Sequence, residues 1–146
     1  MHACIFCRIG AGEVHAEVIY EDDLVMAVAD ICPIRSGHSL LIPRQHFETF
    51  EDLPDAVAVG ILRLGQRLSR TMKRIYRVPR VAFLFTGGDH LHVHAHVVPM
   101  VEKTDITSRR YIAEDKLTFR PMPRASGELL AATATALRAE LEAHRG

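Results

Sequence analysis

His90-Leu91-His92-Val93-His94-Ala95-His96-Val97-Val98-Pro99-Met100 carries four histidines at alternate positions. Read with the two-residue period of a strand, His90, His92, His94 and His96 share one face, and Leu91, Val93, Ala95 and Val97 share the other. The apolar face can pack on a helix while the opposite face presents imidazoles about 6.8 Å apart. Protonating one imidazole disfavours protonating the next. A row of this kind suits metal binding or proton and phosphoryl chemistry, and its bland alternative is a set of hydrogen-bonded core histidines.

Working outward, Arg80–Phe85 (RVAFLF) reads as a strand joined to the histidine run by a turn at Thr86-Gly87-Gly88-Asp89. Before it, Leu53–Arg77 has the pattern of a long helix. Val57, Ile61, Leu64, Leu68, Met72 and Ile75 step by three or four residues. Asp52 is its expected N-cap, Pro54 suits the first turn, and Pro79 prevents continuation. Arg63, Arg67, Arg70, Lys73, Arg74 and Arg77 lie mostly off the apolar stripe, as on a solvated helix face. Further upstream, Glu17–Glu21 and Leu24–Asp30 form a hairpin around Asp22-Asp23, and His38–Pro43 (HSLLIP) is another strand. Downstream, Thr104–Pro123 reads as irregular, and Glu128–Glu142 as a helix capped by Ser126. Strands, helix, strands, helix without βαβ alternation points to an α+β fold with an antiparallel sheet.

The chain has 146 residues, 48% hydrophobic and 25% charged, enough for one domain with its own core. Eighteen Lys and Arg balance 18 Asp and Glu, which argues against a broad grip on nucleic acid or anionic membrane. There is no apolar stretch of membrane-spanning length and no signal-peptide pattern at the start, and three cysteines make no disulfide framework. A reducing, cytoplasmic setting is expected. The Cys4-Ile5-Phe6-Cys7 pair is open to three readings: a redox pair, half a metal site, or two free thiols. Cys32 reads as a packed bystander. Asp30, closing an apolar strand, reads either as a turn former or as a ligand-binding carboxylate.

The segment His92-Val93-His94-Ala95-His96-Val97-Val98 resembles the signature of the histidine-triad (HIT) family. CIFCRIGAGE, VIYEDDLVMAVADICP, SGHSLLIPRQHFETFEDL and HVHAHVVPM follow that family's linear order. A register starting at His90 would put His96 where the signature needs an apolar residue. The resemblance implies a HIT-like fold, with a five-stranded antiparallel sheet, one long helix and a C-terminal helix. It also implies a single HIT domain over residues 1–146, of which about 102–146 is a C-terminal extension. A homodimer in which two sheets run on into one another is implied too.

The implied activity is hydrolysis or nucleotidyl transfer at the α-phosphate of an adenosine-type nucleotide, without a catalytic metal. His94 would be the nucleophile, His96 would contact the phosphate and leaving group, and His38 would help hold the site. Ile5, Phe6, Ile9, Val28 and Leu40 match base-binding positions, although ordinary core explains them equally well, and Asp30 matches the ribose-binding position. Zinc-bearing relatives place a structural zinc on residues that match Cys4, Cys7, His46 and His92. Two other readings stand beside this one. The alternating histidines could chelate a catalytic metal, or the chain could bind nucleotide or act as a scaffold without turnover. Departures from the family pattern bear on substrate preference. The stretch before the triad, FTGGDHL, is short, His90 is extra, and Met100 replaces a basic residue. Asp89 stands where a hydroxyl is expected, and it would repel phosphate unless it points away or orients a histidine.

Overall fold

The computed structural model describes residues 4–88, 90–107 and 121–144. Short helix α1 (Ile5–Gly10) precedes strands β1 (Val18–Glu21), β2 (Val25–Ala29) and β3 (Ser39–Pro43). Long helix α2 (Asp55–Tyr76), strands β4 (Arg80–Phe85) and β5 (Ala95–Met100), and helix α3 (Gly127–Ala143) follow. The strands form one antiparallel sheet in the order β1-β2-β3-β5-β4. This is the expected α+β architecture.

The alternation within the strands separates two apolar layers. Val25, Ala27, Ala29, Leu41, Ala95 and Val97 face α2 and α3 and join Ile61, Leu64, Leu68, Met72, Leu137 and Leu141 in the main core. Met26, Val28, Leu40 and Ile42 face the other way and pack with Phe6 of α1. The α2 stripe is buried as its spacing predicts, with Ile75 only partly covered. Ser126 caps α3 by accepting the Leu129 N–H at 3.2 Å. Through Ala134, Leu137 and Leu141, α3 is packed into its own chain's core.

Two expectations need correction. Asp52 does not cap α2. It closes a separate 3-10 turn, Phe50–Asp52, where its carboxylate accepts from the Thr49 hydroxyl at 2.8 Å and the Thr49 N–H at 3.3 Å. Pro54 takes the cap position instead, its carbonyl accepting from Val57 and Ala58. More consequentially, β5 begins at Ala95, so His90–His94 is not ladder strand. Phe85, the last residue of β4, pairs with Ala95, and the pairing with β3 also stops there at Leu41, although β3 itself runs on beside β2 to Pro43. The Val93 N–H turns to the Phe47 carbonyl at 2.8 Å. Leu91, expected on the packed face, is 70% exposed. Asp89, most of the segment expected to be irregular, and the far C-terminus lie outside the described residues.

Gly37 holds the turn that delivers His38 to β3. Its φ is +95°, and a Cβ there would lie 2.3 Å from Cε2 of Tyr76. Gly37→Ala combines left-handed strain with a clash, so it is expected to destabilise by about 2–3 kcal/mol. Thermal unfolding checks this, with a midpoint lowered by roughly 5–10 °C.

Candidate functional site

Antiparallel register aligns Val28 with Leu40, Leu40 with His96 and His96 with Leu84, so these side chains share the sheet face away from the long helices. At one end of this row the β2–β3 connection brings Asp30 and His38 together, and the Asp30 N–H donates to the His38 carbonyl at 3.0 Å. Arg35 braces the connection from within. It donates to the Asp105 carboxylate at 3.0 and 2.7 Å, and Asp105 also accepts from the Val101 and Glu102 amides. The Arg35 guanidinium holds the Asp105 carboxyl down at about 2.

The proton positions follow from which neighbours can only donate or only accept. His38 Nδ1 faces the Ile34 N–H at 3.1 Å and must accept, so Nε2 carries the proton. That Nε2 lies 3.0 Å from His96 Nδ1 and 3.4 Å from an Asp30 oxygen. His96 Nδ1 accepts in turn, which leaves its Nε2–H directed outward, 3.4 Å from the Thr86 hydroxyl. Burial pushes the His38 pKa down, partly opposed by the nearby Asp30 carboxylate. The other Asp30 oxygen accepts the Cys32 N–H at 2.7 Å, so Asp30 also serves as a turn former.

His94, buried beside this pair, has Nδ1 2.8 Å from the His92 carbonyl oxygen. A carbonyl can only accept, so Nδ1–H donates and the Nε2 lone pair is left available. The His94 ring centroid is 5.0 Å from that of His96 and 5.0 Å from that of Phe6. Phe6 meets His90 and His92 edge-on as well, at 5.3 and 5.7 Å, which gives the extra histidine a packing partner. Ile5, Phe6, Ile9, Val28 and Leu40 all fall in one apolar cluster with Met26 and Ile42. Phe6, Val28 and Leu40 are buried, so the cluster is both core and the floor beside the histidines.

His92 faces elsewhere. Its Nε2–H donates to the Pro43 carbonyl at 3.0 Å, turning the Nδ1 lone pair to Cys4 Sγ at 3.3 Å and Cys7 Sγ at 3.6 Å. His46 Nδ1 lies 3.4 Å from Cys7 Sγ, and all four ligand atoms fall within 4.8 Å of one another. A tetrahedral zinc with two sulfur and two nitrogen ligands sets S···N separations of about 3.5 Å, so the residues fit that ion. Burial keeps the His92 pKa low, the neutral form that a ligand needs. Burial and the adjacent Cys4 push the Cys7 thiol up.

The structure therefore brings His38, His94, His96 and Asp30 together at one centre and Cys4, Cys7, His46 and His92 at another, with Phe6 between them. Thr86, the Ile34 amide and the His92 and Pro43 carbonyls were not anticipated. Three of these are backbone groups, which any residue type supplies. No helix among the described residues is long and apolar enough to cross a membrane.

The family model described as "HIT domain" matches residues 11–103. The chain is 34% identical over 103 residues to an uncharacterized HIT-like protein of Methanocaldococcus jannaschii, covering 68% of this chain and 80% of that protein. It is 33% identical over 98 residues to an adenosine 5′-monophosphoramidase of Saccharomyces cerevisiae, covering 66% and 62% respectively. Among solved structures, a Zn-bound histidine triad family protein from Mycobacterium smegmatis superposes with a TM-score of 0.73 at 29% identity, covering 97% of this chain and 94% of that one.

Proposed function

Because the chain belongs to the HIT domain family, we propose that it hydrolyses or transfers an adenosine-type nucleotide at the α-phosphate through a covalent nucleotidyl intermediate on His94. The observation that carries this reading is the His94 Nδ1–H bond to the His92 carbonyl at 2.8 Å, which leaves Nε2 unprotonated beside His96. In the first step Nε2 attacks phosphorus. A P–N bond forms, the bond to the leaving group breaks, and the leaving amine or oxyanion takes up a proton. The His96 Nε2–H, aimed by the chain from Ile34 through His38, meets the phosphate oxygens or the departing atom. In the second step water attacks phosphorus, the P–N bond breaks, and His94 is regenerated. Asp30 holds the ribose, and the Phe6, Ile5, Ile9, Val28 and Leu40 cluster receives the base.

Cys4, Cys7, His46 and His92 hold one structural zinc in this reading. The ion fixes the start of the segment that presents His94 and takes no part in the displacement. A second copy of the chain pairs at β4, an edge strand whose residues beyond Arg80 are all only half-buried. Light scattering of the purified protein at micromolar concentration is expected to give the mass of a dimer, and a monomer would count against the pairing. The chain as a whole is one HIT domain, with residues from about 102 as its C-terminal extension.

The function is tested by offering adenosine 5′-phosphoramidate and dinucleoside polyphosphates, then searching by mass spectrometry for a nucleotidyl adduct on His94 after a short pulse. Turnover with an adduct supports the mechanism, and nucleotide binding without turnover selects the non-catalytic reading. One observation favours a third. The alternating histidines form no common metal group among the described residues, but Asp30, His38 and His96, of which only His96 belongs to that run, place one ligand atom each within 4.8 Å of the others. Turnover that depends on an added divalent cation would select that metal-dependent hydrolase.

A further inference from the structure

Across the sheet from the catalytic face, a groove of about 860 Å³ opens between β1, α2 and α3. It shares no lining residue with the site described above. Arg63, Arg67 and Arg70 enter it from α2 and Arg138 from α3. Positions spaced by four and three residues lie along one helix face, so the three α2 guanidiniums line up over roughly 10 Å.

Three features set this cluster apart from an ordinary solvated helix face. Among the described residues, Arg8, Arg35, Arg44 and Arg74 each have a carboxylate at ion-pair distance; Arg77, Arg80 and Arg124 have none, and neither do Arg63, Arg67, Arg70 and Arg138, which differ in converging on one groove. Arg67 is held in place, its guanidinium carbon 5.5 Å from the Tyr20 ring centroid, yet its Nε is buried with no hydrogen-bond partner. The edge of β1 is partly closed, because Arg138 donates to the Val18 carbonyl. That contact disfavours an added strand here, although β1 is an edge of the sheet.

Two carboxylates line the groove, and neither neutralises it. Glu21 is paired with Arg44 at 3.0 Å, and Glu142 forms no ion pair among the described residues. A bound cationic group is thus disfavoured, and an anion with several charges in a row is favoured. The volume lies in the range of small-molecule sites, and zero net charge of the whole chain argues against a long nucleic acid.

We propose that the groove lined by Arg63, Arg67, Arg70 and Arg138 is a second anion site that takes a short linear oligophosphate. Guanidiniums suit phosphate oxygens because each presents a planar fork of N–H donors. Arg63 and Arg70 are exposed, so replacing them leaves the core untouched.

Calorimetric titration with sodium tripolyphosphate tests the site in the intact chain and in the Arg63→Gln/Arg70→Gln variant, with thermal melting to confirm folding. Saturable binding is expected, weakened at least tenfold in the variant and further weakened by raised salt. A parallel titration with ATP distinguishes the sources. Variant-sensitive binding of tripolyphosphate alone assigns a free oligophosphate, whereas variant-sensitive binding of both assigns a polyphosphate tail whatever it is attached to. Absence of saturable tripolyphosphate binding would overturn the proposal. So would binding that the variant leaves unchanged, or equal competition by a poly-glutamate peptide, which would mark an acidic-protein surface. Arg67→Gln alone provides a second reading of the same site, expected to weaken binding without changing adenosine 5′-phosphoramidate turnover.

Discussion

His94→Ala is expected to lower turnover of adenosine 5′-phosphoramidate by roughly 10⁴-fold or more while the chain remains folded. The size follows from what is removed. A neutral imidazole attacks phosphorus readily near neutral pH, and none of the His38, His92 and His96 rings is placed to substitute for it. The lone pair of His92 is turned toward Cys4 and Cys7, and the Nδ1 of His96 is engaged by His38. The Nε2 of His38 faces both His96 and Asp30. His96→Ala, by contrast, keeps the nucleophile and is expected to cost about 10²–10⁴-fold, the range of a lost proton donor or phosphate contact. Steady-state rates check the pair of variants, circular dichroism checks the fold, and pulse labelling checks the adduct. His94→Ala that retains full activity, or an adduct that persists in it, would remove the covalent mechanism.

The layout behind that prediction was legible in the sequence to different depths. The α2 stripe from Val57 to Met72 and the nearly unbroken apolar runs of β2 and β3 record burial directly, because apolar side chains must face a core. The grouping that the family resemblance implied was legible too, since Cys4, Cys7, His46 and His92 converge, as do Asp30, His38, His94 and His96. What could not be read was where a ladder stops. His90–His94 has the period of a strand, but a strand persists only while a neighbour pairs with it; β4 ends opposite Ala95, and β3 runs on to Pro43 paired with β2 alone. The outcome matters for function. A continuous strand would present His92, His94 and His96 as one row. Released from the ladder, His92 turns toward the cysteines while His96 stays aligned with Leu40. The orientation of each ring is set by carbonyls of Pro43 and His92 and an amide of Ile34, groups that the residue types do not announce. Asp52 illustrates the same limit locally. It suited an N-cap directly before a helix starting at Leu53, but the helix starts at Asp55, and Thr49, three residues earlier, offered Asp52 a nearer set of donors.

Loss of the zinc proposed at Cys4, Cys7, His46 and His92 is expected to lower the unfolding midpoint by more than about 10 °C, a cost of roughly 4 kcal/mol or more. Helix α1 is only six residues long and its first turn has no side-chain cap, so it is too short to hold itself together. Apart from apolar contacts and the Arg44 hydrogen bond to the Gly10 carbonyl at 3.3 Å, the metal is what would tie it to β3 and to the histidine segment. Freed of the ion, α1 would carry Phe6 away from the His90, His92 and His94 rings, so stability and catalytic geometry should decline together. The ligands also set the pH response. Burial raises the Cys7 pKa, so in the metal-free chain its thiol keeps its proton to higher pH. Binding must then expel that proton, and zinc affinity should fall as the pH is lowered. Elemental analysis of protein purified without added metal is expected to give about one zinc per chain. Cys4→Ser should lose both the metal and the thermal stability, whereas Cys32→Ser, outside the cluster, should keep them. Protein that contains no zinc, or a Cys4→Ser variant with unchanged metal content and midpoint, would show that these four side chains hold α1 by contacts of their own.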